Sequence, residues 1–111
     1  LDKKGPIKAK KKKEDYENAA KYYQIAYDNG DITGGEKLAN LYLNGLGVEK
    51  DEAKALEIYV TVVENANGNS VAAGCAQQAA YMYENGIGTD VDEEKAAEYY
   101  AIAEEMEESE H

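Results

Sequence analysis

The chain has 111 residues, enough for one domain with a modest hydrophobic core, and its net charge is −11. All twelve basic residues are lysines, the single histidine is His111 and the single cysteine is Cys75. The chain therefore lacks an internal imidazole for proton transfer, an arginine for phosphate and the Cys/His cluster that zinc needs. We expect no catalytic residue, no cofactor and no metal site, although carboxylates and tyrosines remain.

Residues 1–13 form a lysine-rich segment that contains a Gly-Pro pair. The segment carries seven lysines and one aspartate, a charge of +6, which leaves −17 for residues 14–111. Its composition predicts a flexible lead-in rather than a nucleic-acid or membrane tether. The acidic remainder disfavours nucleic acid and anionic lipid, and no apolar run is long enough to insert into a membrane. The compartment stays open. Because the chain begins at Leu1, we expect a processed protein or a fragment of a longer array.

The middle of the chain repeats itself. Residues 38–59 and 79–100 align without a gap at an offset of 41, and 11 of their 22 positions are identical. Residues 15–23 match residues 51–59 at an offset of 36. Offsets of this size are typical of a repeating two-helix unit. In each unit a Gly-x-Gly turn is placed to stop one helix, and Asp51 or Asp92 is placed to cap the next.

Apolar residues at spacings of three and four predict helices over residues 14–29, 34–44, 51–65, 70–85 and 91–107. The expected fold is all-α, an α-α superhelix (solenoid) of antiparallel helix hairpins with about five helices. The repeat domain spans 14–107. Within it, 14–33 is the second helix of a preceding repeat, 34–69 and 70–107 are two repeats, and 108–111 is a tail. With no Phe or Trp, the ten tyrosines are expected at the edges of a thin core, with one of each adjacent pair partly exposed.

The string L-A-x-L-Y-x-x-G-x-G-V-x-x-D-x-x-K-A at 38–55 resembles a Sel1-like repeat, a relative of the tetratricopeptide repeat. Residues 79–96 match the pattern again, with Thr89 in place of Val48, through Tyr83, Gly86, Gly88, Asp92, Lys95 and Ala96. The resemblance implies an α-solenoid that acts as an adaptor and takes its ligand on a concave face lined by first helices. Carried over by position, the outward residues of that face are Glu36, Asn40, Leu43, Gln77, Tyr81 and Glu84. Leu43 and Tyr81 either anchor a partner or pack on their neighbours.

The leading functional hypothesis is a protein-interaction module, an adaptor or scaffold, for a protein or peptide partner. The net charge alone favours a basic partner. The alternative is a structural unit that self-associates through its exposed end faces, although we expect a monomer. A third hypothesis is a small-molecule binder or hydrolase, as claimed for cysteine-rich members of the family. Those members pair cysteines across helices, and the lone Cys75 cannot.

Three tempting sites have simpler explanations. The Gly-x-Gly turns lack the residues that complete a phosphate-binding loop, so we expect helix stops. The acidic run from Asp90 to Glu94 enters a helix directly, so we expect capping rather than calcium binding. Cys75 lies among small residues and is expected to be a buried, inert thiol.

Overall fold

A computed structural model of the chain describes residues 4–66 and 68–109, and all regular structure there is helical. Five helices follow one another: α1 Lys4–Asp28, α2 Ile32–Asn44, α3 Glu52–Asn65, α4 Ser70–Asn85 and α5 Glu93–Ser109. Each helix packs against its neighbours in sequence, and α2 also contacts α4. The molecule measures 51 × 28 × 24 Å. The hairpins therefore stack into a short solenoid, and the predicted fold class is confirmed.

The first helix begins ten residues before its predicted start at residue 14. Lysine and alanine both favour helix, and Pro6 lies in the first turn, where its missing N–H costs nothing. Residues 4–13 are therefore helical rather than a non-helical lead-in. Lys10–Asp15 are exposed without exception. Residues 1–3 of the expected lead-in, and residues 110–111 of the expected tail, lie outside the described residues.

Short polar side chains start the helices by accepting from free backbone N–H groups. The Asp51 carboxylate accepts from the amide three residues on, at 3.0 Å, and Asp92 does the same at 3.0 Å. These two predicted caps are confirmed. Asp31 caps α2 and Asn69 caps α4 in the same manner. The connections that separate the helices are thus encoded locally.

The two glycines of each Gly-x-Gly turn have different structural roles. Gly45 and Gly86 adopt left-handed φ angles of 64° and 67° and close the ends of α2 and α4. The second glycine brings the turn against an earlier helix, at the middle of α1 for Gly47 and at the start of α3 for Gly88. A Cβ at Gly47 would collide with the Tyr16 carbonyl of α1, and one at Gly88 would collide with the Glu52 carbonyl of α3. The predicted helix stops are confirmed, and the second glycine adds a contact between repeats.

The core is built mainly from small and aliphatic side chains. Seven residues of α4 are buried, and all but Met82 are alanine or cysteine. Leu38, Ile58 and Val62 are the main larger aliphatic residues beside them. Tyr59 is only 1% exposed, so it departs from the expectation that tyrosines lie at the edges. The side chains of α4 are small, so its backbone can approach α3 closely. The space that these small side chains leave at the centre is filled by the ring of Tyr59.

In each repeat unit, the lysine of the D-x-x-K-A pattern lies over the ring of a tyrosine on the first helix of that unit, which is α2 or α4. The Lys54 Nζ lies 5.6 Å from the centre of the Tyr42 ring, and the Lys95 Nζ lies 5.4 Å from the centre of Tyr83. These are cation–π distances. The pairing recurs once in each unit, so this lysine ties the second helix to the first within a hairpin.

We predict that Gly88→Ala lowers the free energy of unfolding by about 2–4 kcal/mol, because it adds a collision with backbone to a left-handed φ. Gly30→Ala is the matched control, since Gly30 has a φ of 89° and nothing lies within 4 Å of an added Cβ. It should lose only about 1 kcal/mol. Urea unfolding followed by circular dichroism measures both. Equal losses would contradict a close contact between the turn and α3.

Candidate functional site

The first helices of the two units, α2 and α4, lie side by side. A Cβ built on Gly74 of α4 would lie 4.0 Å from the Glu36 carboxylate of α2. Asn40 is exposed on α2, and its side-chain oxygen accepts a hydrogen bond from the Tyr59 hydroxyl of α3. This bond satisfies a hydroxyl whose ring is almost wholly buried. Glu36 and Asn40 therefore lie at the seam between the two units.

The face continues from α4 onto α5 as an open groove of about 660 Å³. Tyr81, half exposed at 50%, stands on the α4 side of this groove. The Gln77 amide donates to the Glu107 carboxylate across it, at 2.8 Å. We call this the α4–α5 groove, lined by Gly74, Gln77, Gln78, Tyr81, Tyr100, Ala103, Glu104 and Glu107.

A second tyrosine borders the groove from α5. Partial desolvation, the charge of Glu84 and a hydrogen bond with its carboxylate raise the pKa of Tyr100. The hydroxyl of Tyr100 thus stays protonated and donates to Glu84 through the neutral pH range. This bond links the Glu84 side of α4 to α5 at one end of the groove, while Gln77 and Glu107 link the helices at the other.

The six residues expected on the partner-binding face fall into three groups. Gln77, Tyr81 and Glu84 come together along the α4–α5 groove. Glu36 and Asn40 lie one unit earlier, beside α4. Leu43 is partly buried and packs against the hydrophobic core, so little of its surface is available to a partner. Of the two apolar residues expected as anchors, Tyr81 alone is well exposed.

Sequence reasoning did not single out the α5 side of the groove or a second, more apolar groove. The second groove, of about 540 Å³, lies between α1 and α2, and Ile25 stands at its edge, 63% exposed. A signal for the α5 side of the first groove was present in the adjacent tyrosines, since Tyr100 lines it. Tyr22 and Tyr100 are the exposed members of their pairs, at 67% and 37%, while Tyr23 and Tyr99 are partly buried.

A buried polar cluster lies beneath the seam between the units. Burial, and then the Glu36 carboxylate, raise the pKa of the Cys75 thiol from 9.0 to about 12. Burial, then Cys75 and Glu36, also raise the pKa of Tyr59. Both groups are therefore protonated at neutral pH, and Cys75 is buried. A thiol in this state is a poor nucleophile.

Neither a metal site nor a membrane span is evident in the described part of the chain. Over residues 4–66 and 68–109, no three His, Cys, Asp or Glu side chains are grouped so that they could hold a metal ion. No helix within these ranges is long and apolar enough to cross a membrane.

Comparison with known proteins identifies one family along most of the chain. The model of the Sel1 repeat matches residues 8–31, 36–59 and 73–107. The crystal structure of a Sel1 repeat protein from Oxalobacter formigenes superimposes with a TM-score of 0.72 and 26% sequence identity. The match covers 81% of this chain and 35% of that protein, so this chain spans about a third of its length. No curated protein matches the chain.

We predict that Cys75 reacts with a soluble thiol reagent at about pH 8 at least 100-fold more slowly in the native protein than in urea. Because the folded thiol has the higher pKa, its contribution to stability is complete below pH 9 and is lost as the pH rises toward 12. The free energy of unfolding should therefore fall over this range, and Cys75→Ala should make the fall shallower. Equal reaction rates in the native and unfolded protein would contradict the buried position.

Proposed function

The chain belongs to the Sel1 repeat family, and from this we propose that it is a protein-interaction module that binds a partner along its concave face. The Sel1 repeat is a non-catalytic scaffold, and its members generally mediate protein–protein interaction. The proposed face comprises the first helices, α2 and α4, and ends in the α4–α5 groove. Its residues are Glu36, Asn40, Leu43, Gln77, Tyr81 and Glu84.

The observation that carries this proposal is the position of Tyr81. Its ring is half exposed at the border of an open groove, and polar side chains surround it. An amphipathic aromatic residue ringed by polar groups is the usual form of a binding hot spot. The ring offers apolar area and the hydroxyl offers a hydrogen bond, at a small cost in side-chain entropy. We therefore assign Tyr81 as the anchor of the face and Leu43 as a supporting residue at its edge.

Charge favours a basic segment as the partner. Glu36 and Glu84 lie on the face, and Glu104 and Glu107 line the adjoining groove. The body of the chain carries −17, so its field attracts a basic protein or peptide before contact is made. Carboxylates at the rim contribute more to encounter and selectivity than to the strength of the final complex.

We infer that the chain has no catalytic activity of its own. The only cysteine is a buried, protonated thiol, and the only imidazole is that of the final residue, His111. The α4–α5 groove brings together carboxylates, amides and tyrosines, which recognise partners well. The residues that line the groove include no serine, cysteine or histidine that could act as a nucleophile or as a base near neutral pH.

We predict that Tyr81→Glu weakens partner binding at least tenfold, about the effect of losing one hot-spot aromatic residue. Affinity capture from a lysate of the source organism, followed by mass spectrometry, would identify the partner. Titration calorimetry with that partner would then measure the change in affinity.

The matched control is Val91→Glu, which makes the same change of charge at an apolar residue that is 59% exposed and lies off the face. Circular dichroism checks that both variants are folded. Equal capture by wild type and Tyr81→Glu would remove the concave face from the proposal. A complex that is as tight at high salt as at low salt would remove the basic partner.

A further inference from the structure

A second groove lies on the side of the molecule opposite to the proposed binding face. Its floor includes Leu38 and Tyr42 of α2. Each of these lies two residues from Glu36 or Asn40, which is just over half a turn around the helix. We call this the α1–α2 groove. From α1 it is lined by Ala20, Lys21, Gln24 and Ile25, and from α2 by Leu38 and Tyr42.

The groove lies on a side of the second helices, α1, α3 and α5, that neighbouring repeats do not cover. The helix α3 shows this, because it packs against α2 before it and against α4 after it. Glu57 of α3 takes the place of Lys21 at the offset of 36 residues, and it is exposed. Ala53 takes the place of Glu17, which also lines the groove, and is exposed as well. Among the described helices, no second helix packs against another second helix. A groove on this side is therefore open within a stack of repeats.

The next unit fills the corresponding space with its own side chains. At the offset of 36 residues, Leu56 takes the place of Ala20, and it is buried in the core. Val60 takes the place of Gln24 and packs against that core. In α1 a methyl group thus stands for a leucine side chain, and a polar amide stands for a valine. The α1–α2 groove therefore lacks two aliphatic side chains that the next unit supplies.

Apolar surface remains exposed around this space. Ile25 is 63% exposed at the edge of the groove, at a position where the next unit has the polar Thr61. Tyr42 and Val48 line the groove and are only partly buried. Aliphatic side chains from a partner would remove this surface from water, which is the main source of affinity in such a site.

The α1 rim of the groove is basic. Lys21 lines the groove where the next unit has Glu57, so the charge at this position is reversed. The two glutamates on this side each have a lysine one helical turn away, which offsets their charge. From residue 10 to residue 21, the groove side of α1 carries three exposed lysines and two exposed glutamates: Lys10, Lys13, Lys21, Glu14 and Glu17.

Lysines also border the groove from α3 and the turn before it. The Lys54 Nζ lies 5.6 Å from the centre of the Tyr42 ring, which is part of the floor. Lys50 lines an adjoining hollow that shares Tyr42 with the groove, together with Glu49 and Asp51. The Asp51 carboxylate is bonded to the Lys54 amide at the start of α3. An acidic group in the groove would therefore have lysines on both sides, whereas the α4–α5 groove is lined by glutamates.

We propose that the α1–α2 groove binds a segment of a second partner protein, in which aliphatic residues stand beside aspartate or glutamate. The aliphatic side chains occupy the space that Leu56 and Val60 fill in the next unit, and the acidic ones face the lysines of the rim. The concave face favours a basic partner, so the two surfaces select partners of opposite charge. Because the surfaces lie on opposite sides of the chain, one molecule can hold both partners at once.

The next unit supplies the variant that closes the groove. Ala20→Leu/Gln24→Val places its leucine and valine on α1, where this fold accommodates them in the following repeat. Lys21→Glu reverses a charge at the rim and leaves the space open. Lys37→Glu is the matched control, because it makes the same change at an exposed lysine of α2 that does not line the groove. Circular dichroism and urea unfolding check that every variant is folded.

The test is a selection of random peptides displayed on phage, with wild type as the target and the filled variant, Ala20→Leu/Gln24→Val, as a soluble competitor. The retained peptides should combine leucine, isoleucine or valine with aspartate or glutamate. Fluorescence anisotropy with a synthetic copy of the most enriched peptide then measures its affinity. The filled variant should bind at least tenfold more weakly than wild type, Lys21→Glu about two- to fivefold more weakly, and Lys37→Glu equally well.

The proposal would be overturned if no peptide preferred wild type to the filled variant, if the enriched peptides were rich in lysine or arginine, or if Lys21→Glu bound as tightly as wild type. Sedimentation velocity adds a further check. Dimerisation of wild type that the filled variant lacks would also overturn the proposal, because the occupant would then be a second copy of this chain. The filled variant keeps Tyr81 and the α4–α5 groove, so its binding of a basic partner reports separately on the concave face.

Discussion

The seating of α4 in the groove between α2 and α3 is the contact on which the rest of the structure depends. A helical hairpin has an apolar side that it cannot cover by itself, so each unit of a solenoid relies on the next. Here the small residues of α4 let it approach α3 closely, and Tyr59 fills the centre with its hydroxyl bonded to Asn40. The core is continuous because of this one junction.

The repeat also separates the residues that hold the hairpins together from those that stay exposed. A stack of this kind has a uniform interior and two ends that differ from it. The turn glycines and the lysine–tyrosine pairs recur in both units and hold the hairpins together. The exposed aromatic residues do not recur in this way. Tyr81 and Tyr100 border the α4–α5 groove, and Ile25 borders the groove between α1 and α2.

The proposed function rests on the character of the α4–α5 groove rather than on any reactive group. Its glutamates occupy positions that are apolar in the preceding unit, so they weaken the attraction for an ordinary repeat helix while they favour a basic one. Tyr81 and Tyr100 supply the apolar contact that charge alone cannot provide. The buried thiol of Cys75 and the buried ring of Tyr59 serve packing, since burial keeps both protonated.

Local patterns in the sequence were sufficient for the number of helices, the caps at Asp51 and Asp92, and the repeat, because each depends on residues a few positions apart. The predicted start of α1 at residue 14 was wrong, because a Gly-Pro pair is compatible with the first turn of a helix as well as with a break between elements. The binding face was predictable only as a set of outward positions. Which of them remained available was decided by tertiary packing: Leu43 packs on the core, Asn40 accepts a hydrogen bond from Tyr59, and Tyr81 stays half exposed. Burial of a side chain depends on elements distant in sequence, and spacing along one helix cannot specify them.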